Sequence, residues 1–278
     1  MTISIEDTEG AVQVQLGFER HTKGELAYYT VPALERTGLV RHCFTTRRGG
    51  VSTGETATLN LGFRRKDTYE NVRRNYEIVC SAIGMKAEDL VLSNQVHDNR
   101  VRVITRADCG KGITRESDIV GIDALVCAEP GVPFVVFCAD CVPVFFLDPV
   151  RRVAALAHSG WRSTVKNISG EVLAVMRREF GCDMGDVLCA VGPSIGQCCF
   201  EVDGDVAEQF PARFTEPRGA KYHVDLWGVI HAQLRDAGVK EDNITLAGIC
   251  TCCNGDEFFS NRAHKGKIGL MGAFLELK

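Results

Sequence analysis

"FCADCVPVFFLDPVRRVAALAHSGWRS", residues 137–163, decides how the chain is read. The apolar runs "PVFFLD" (143–148) and "RVAALA" (152–157), broken at Asp148-Pro149, are strand candidates, and "VPFVVFC" (132–138) is another just ahead of them. Polar groups without partners are expensive inside such runs. Cys138, Asp140 and Cys141 between two of the strands, and His158 at the end of the third, therefore need a reason to be there.

Outward from this centre, "DLVLSNQVH", "RVRVIT", "DALVCAE", "DVLCAVG" and "NITLAGIC" read as further short strands, and "LVRHCFTTRRGGVST" as a strand running into a glycine turn. "YENVRRNYEIVCSAIG" spaces Val72, Tyr76, Val79 and Ile83 as one helix face. "NISGEVLAVMRREFG" has an Asn or Ser cap and stops at Gly181, and "DLWGVIHAQLRDAGV" runs from Asp225 to Gly238. The pattern is mixed α/β, an α+β chain of mixed sheets layered with helices. No glycine-rich loop opens a helix after the first strand, which argues against a dinucleotide fold. With no linker or repeat, residues 1–278 read as a single domain, about residues 1–20 being a loosely attached segment.

The 278 residues are 45% hydrophobic and 24% charged, ordinary for a globular protein. A net charge of -4 offers no field for nucleic acid, and no apolar stretch suits a membrane span. A small-molecule ligand and a cytoplasmic address are expected, the start lacking an export signal. The 13 cysteines are odd in number and expected to be reduced, with Cys80, Cys127 and Cys189 acting as small hydrophobes.

Three candidate metal ligands stand at strand ends: His97, Cys141 and His158, forty-four and seventeen residues apart. A catalytic zinc takes three protein ligands and leaves a fourth position open, and strands meeting at one sheet edge can supply them. Spacing alone leaves the alternative open that both histidines are hydrogen-bonded core residues and Cys141 a buried hydrophobe. A rival set joins the CxxC pairs Cys138/Cys141 and Cys250/Cys253 as a structural four-cysteine zinc site. Against it, Cys138 ends an apolar strand and reads as packing. Cys198 and Cys199 have no ligand-like spacing.

"FTTRRGGVS", "NQVH", "DALV", "ADCVPVFFLD", "AHSGWR", "GPSIGQCCFEV", "YHVDLW" and "CTCCNGDEFFSNR" occur in this order. In this the chain resembles the YfiH or laccase-domain family, once labelled polyphenol oxidases, from Phe44 to the C-terminus. The resemblance implies a YfiH-like α/β sandwich and a multifunctional purine nucleoside enzyme. Its activities would be phosphorolysis of adenosine, inosine or guanosine, cleavage of methylthioadenosine, and deamination of adenosine. It implies one zinc per chain on His97, Cys141 and His158, with nucleosides and phosphate as partners. The usual "HAGWRG" is "HSGWRS" here, with Ser159 and Ser163, and "FFSYRR" is "FFSNRA"; substrate preference is the property these departures touch.

Deamination asks for an activated water at C6 of adenine and a carboxylate to move protons. Asp140 is the candidate, equally able to orient its surroundings. Phosphorolysis asks for a cation that holds phosphate in line with the anomeric carbon. Arg47, beside Gly49 and Gly50, is the leading clamp and Arg162 the second; Trp161 reads as packing. A zinc amidase that edits peptidoglycan precursors is the runner-up, since the same metal chemistry serves amide hydrolysis. A multicopper oxidase wants more clustered histidines than the 7 present. A non-catalytic protein would hold a coordinatively closed structural zinc instead.

Overall fold

A computed structural model describes residues 2–7 and 10–278, with side chains from residue 17 onward. Period-two alternation in its central strands sets the layers. Val142–Asp148 pairs antiparallel with Val153–Ser159, in a register that runs from Val142 opposite Ser159 to Asp148 opposite Val153. Val142, Val144, Phe146, Val153, Ala155 and Ala157 pack on one side with Val172, Leu173, Met176, Ile230 and Leu234 from two helices. Phe145, Leu147, Ala154 and Leu156 pack on the other with Phe134, Val136, Cys138, Ala273 and Leu275 of a second sheet.

The first sheet has the strand order Thr2–Asp7, Gly10–Leu16, Ile244–Leu246, Leu188–Val191, Val142–Asp148, Val153–Ser159, Ala124–Cys127, Val101–Val103. Ile244–Leu246 is parallel to Leu188–Val191, and Val101–Val103 is parallel to Ala124–Cys127. The second sheet runs Glu19–Lys23, Leu26–Thr30, Val40–Thr45, Met271–Leu277, Phe134–Cys138, Val91–Leu92. Its outer face, with Cys43, Val135 and Phe274, is covered by the helix Tyr69–Ile83 through Val72, Tyr76, Val79 and Cys80. The layers are thus helix, sheet, sheet, helix, an α+β architecture.

Local sequence accounts for the helix ends. The Asn167 side chain accepts from Gly170 N, and Gly181 closes Ile168–Phe180 in the left-handed region. The Asp225 carboxylate accepts from Gly228 N at the start of Leu226–Asp236. In Tyr69–Ile83, Cys80 rather than Ile83 completes the buried stripe, because positions 72, 76, 79 and 80 are the i, i+4, i+7, i+8 set. The small antiparallel sheet of Glu201–Val202, Lys221–Val224 and Thr215–Arg218 was not expected from sequence. The loosely attached start was expected where Thr2–Asp7 and Gly10–Leu16 pair as strands at the sheet edge; Met1, Thr8 and Glu9 lie outside the described residues. All 13 cysteines are free thiols. Among the described residues no helix is long and apolar enough to cross a membrane.

Candidate active site

Strand register brings the three candidate ligands together. Pro143 lies opposite His158, so Cys141, just ahead of its strand, stands where the neighbouring strand finishes. Ala157 lies opposite Ala124, and His158 N donates to Asp123 O at 2.8 Å. Val101 lies beside Ala124, which delivers the preceding loop and His97 to the same sheet end. One donor atom from each of His97, Cys141 and His158 lies within 4.8 Å of the other two. The two imidazoles meet edge to face, centroids 4.8 Å apart.

Asp123 organises this corner. It is fully buried, and its Oδ1 accepts from His158 Nδ1 at 2.8 Å and from His97 N at 3.0 Å. Its Oδ2 accepts from Val96 N and Asp98 N, both at 3.0 Å. The positive φ of His97, 61°, turns three successive N–H groups onto this one carboxylate. The hydrogen bonds offset the strain of a left-handed non-glycine residue. With Nδ1 committed to Asp123, Nε2 is the His158 nitrogen left to meet a metal.

The electrostatics favour a thiolate. Burial opposes ionisation of Cys141, but His158 by charge and hydrogen bond, and then His97, bring the thiol down to about 6. Burial likewise opposes charge on His158, yet Cys141 and Asp123 hold it up to about 9. Burial disfavours charge on Asp123 too, but its bonds to His158 and to the Asp98 and Val96 N–H groups keep it below the usual carboxylate range. Gly160 leaves the necessary room: a Cβ there would overlap His97 Nδ1 and lie 3.2 Å from Cys141 Sγ. The Ser159 hydroxyl is engaged with Thr164 Oγ1 at 2.8 Å.

The three groups open onto a cavity of about 1240 Å³. Phe63, Phe137, Trp161 and Phe200 supply apolar walls, and Arg64, Arg65 and Arg262 are its cations. Arg65 is half-buried, and burial lowers its pKa. Among the described residues no hydrogen bond or carboxylate partner is found for its guanidinium. Asp140 lies on the wall with φ 85°. Its Oδ1 accepts from Thr251 Oγ1 and its Oδ2 from Arg262 N, each at 2.7 Å.

Other sequence candidates lie elsewhere. Arg47 does not line the cavity: its guanidinium donates to Ala57 O and Gly255 O, contacts His264 Nε2, and lies 4.7 Å from the Phe259 ring centroid. Arg162 is exposed and stacks on Trp161 at 4.1 Å. The rival four-cysteine set is not assembled, because Cys138 is buried between the sheets while Cys250 and Cys253 meet Cys198 and Cys199. Sequence reading missed Gly160, Arg65 and the wall position of Trp161. A glycine directly after two polar strand-end residues was the available signal for the first.

Fold and site define an α+β protein with a His97, Cys141 and His158 cluster that could hold a metal ion, lining a large cavity. Residues 41–278 match the family described as multi-copper polyphenol oxidoreductase laccase, and the chain belongs to it. Purine nucleoside phosphorylase YlmD of Bacillus subtilis is 32% identical over 243 residues, 84% of this chain and 87% of the relative. A purine nucleoside phosphorylase of Bacteroides thetaiotaomicron is 36% identical over 232 residues, 80% and 86% of the two chains. The crystal structure of YlmD from Geobacillus stearothermophilus superposes with a TM-score of 0.87 at 30% identity, covering 94% of this chain and 98% of that one. Bacillus licheniformis YfiH gives 0.87 at 28% identity, covering 94% and 99%.

Proposed function

We propose that this protein is a zinc-dependent purine nucleoside phosphorylase that also deaminates adenosine, with adenosine, inosine, guanosine and methylthioadenosine as its nucleosides. The observation that carries the reading is the joining of the His97–Cys141–His158 cluster to a cavity with aromatic walls and an arginine that has no hydrogen-bond or carboxylate partner among the described residues. The donor set fits zinc: one acidified thiol and two imidazoles converge, and Asp123 fixes the tautomer of one of them. His97, Cys141 and His158 would hold the ion, which supplies Lewis acidity there.

The chain's own residues account for the rest. Phe63, Phe137, Phe200 and Trp161 offer faces for a purine and exclude water. Phosphorolysis forms a bond from a phosphate oxygen to the ribose anomeric carbon as the bond to the base nitrogen breaks. A fixed cation must hold the anion in line while positive charge develops on the sugar. Arg65 meets that need better than Arg47, whose donors are already engaged by the protein. Arg64, with Nη1 3.4 Å from Asn94 Oδ1, is the neighbouring cation. Asp140 is a positioning residue in this reading, because both its oxygens already accept hydrogen bonds.

The test incubates zinc-loaded protein with adenosine, with and without phosphate, and follows adenine, ribose 1-phosphate, inosine and hypoxanthine. Phosphate-dependent ribose 1-phosphate together with phosphate-independent inosine is expected. Absence of both, with inosine, guanosine and methylthioadenosine also inert, overturns the reading.

A further inference from the structure

A second cluster of sulfur ligands lies outside the machinery described above. The strands Leu188–Val191 and Ile244–Leu246 are parallel neighbours, so the loops that follow them leave at the same sheet end. Ser194 N donates to Ile249 O at 3.2 Å, and Thr251 N donates to Ser194 O at 3.0 Å, which zips the two loops together. Four thiols, Cys198, Cys199, Cys250 and Cys253, then converge with every sulfur within 4.8 Å of the others. Cys253 Sγ is 3.5 Å from Cys198 Sγ and 3.4 Å from Cys199 Sγ.

We propose that Cys198, Cys199, Cys250 and Cys253 bind a second zinc ion as a closed tetrathiolate site that staples these two loops. A tetrahedral site with Zn–S bonds of about 2.3 Å has sulfur–sulfur edges of about 3.8 Å. The observed 3.4 and 3.5 Å need only a few tenths of an ångström of expansion. The two sulfurs flanking Cys253 are almost equally close, so a disulfide to either would strand the other, whereas one ion takes both. Two donors from the protein reach this corner. Gly196 N donates to Cys250 Sγ at 3.3 Å, and the Arg262 guanidinium donates to Cys199 O and Glu201 O, both at 2.8 Å, bringing positive charge to the loop. All ligands are thiolates, the donors that select zinc over magnesium or calcium. The site needs no open position, which separates it in kind from the His97–Cys141–His158 cluster.

The staple has a mechanical consequence. Thr251, between two of its cysteines, donates to Asp140 Oδ1, and Ile195 N donates to Asp140 O at 2.9 Å. The tetrathiolate thereby backs the cavity wall beside Cys141.

The experiment measures metal by mass spectrometry on protein purified under reducing, chelator-free conditions. Two zinc ions per chain are expected in the wild type, one in Cys253→Ser, and one in Cys141→Ala. Because Cys253→Ser could misfold, the zinc-loaded wild type is also treated with iodoacetamide and mapped. Cys198 and Cys253 are solvent-exposed, yet their labelling should be lost until a chelator strips the metal. A single zinc that disappears in Cys141→Ala and persists in Cys253→Ser overturns the proposal. So does equal labelling of the loaded and stripped protein, a Cys253 disulfide in place of the second zinc, or copper as the only second ion.

Discussion

Replacing Asp123 by asparagine separates the carboxylate's role from its shape. The wild-type carboxylate accepts from His158 Nδ1 and from the backbone N–H groups of Val96, His97 and Asp98. Asparagine keeps one acceptor oxygen and turns an NH₂ toward donors that cannot accept from it. If two of these part-buried N–H groups lose their acceptor, at about 1 to 3 kcal/mol each, the variant is destabilised by roughly 2 to 6 kcal/mol. For a chain of this size that is a fall in Tm of roughly 5–15 °C. His158 also loses the partner that sets its tautomer, so zinc affinity at the His97–Cys141–His158 site should fall about 10- to 100-fold. Thermal melts in the presence of chelator read the first effect, and competition with a chromophoric chelator reads the second. Wild-type Tm and wild-type zinc affinity together would refute the assignment of Asp123 as the organiser of this corner.

Other positions make distinct demands. Gly160→Ala involves no left-handed backbone, since φ is -70°, so its cost is the overlap with His97 and Cys141; metal affinity at that site should drop at least about tenfold with the circular dichroism spectrum unchanged. Arg65→Met should slow phosphorolysis by roughly 30- to 1000-fold, the loss of about 2 to 4 kcal/mol of charge-assisted contact, while adenosine deamination persists. Arg47→Ala should lower Tm and both activities together, and steady-state kinetics of the two variants distinguishes the roles. His42 is buried, accepts from Val31 N at 2.8 Å, and burial lowers its pKa from 6.5 to about 4. The unfolded chain therefore binds the extra proton first as pH falls, so stability is full above about 6.5 and drops by about 3 kcal/mol on the way down to about 4. Urea titrations should show this component of the acid slope vanish in His42→Gln.

What sequence carried and what it did not follows from the range of the signals. Helix caps at Asn167, Gly181 and Asp225 act over one turn and could be read directly. The strands around 134–159 could be read from apolar runs bounded by Pro and Gly. His97, Cys141 and His158 could be nominated, but the residue count between them says nothing about their meeting; the register that sets Pro143 opposite His158 and Ala157 opposite Ala124 does. In the rival four-cysteine site the CxxC at Cys250 and Cys253 is paired with Cys138 and Cys141, a local motif matched to a local motif. Its neighbours are Cys198 and Cys199 because two strands lie parallel, a non-local fact. Arg47 stands out in the sequence for its glycine turn, but that turn folds the guanidinium back onto Ala57 and Gly255. The strand Thr215–Arg218 is mostly exposed and contains a proline, so no apolar period announced it.

The same sheet end explains why an aspartate stands in the middle of "CADC". Leu188–Val191 runs antiparallel to Val142–Asp148, so the loop after it returns to the corner where Cys141 begins its strand. Ile244–Leu246, parallel to Leu188–Val191, sends its own loop to the same place. Something must join both loops to the Cys141 corner, and a purely apolar contact would leave their backbone groups unpaired. Asp140 makes that joint: its carbonyl takes Ile195 N, one carboxylate oxygen takes Thr251 Oγ1, and the other takes Arg262 N. A left-handed φ of 85° lets one short side chain and its own carbonyl reach three partners, and aspartate tolerates that region better than most residues. The polar residue that looked out of place between two buried strands is thus the link between the His97–Cys141–His158 corner of the cavity and the two cysteine-bearing loops behind it.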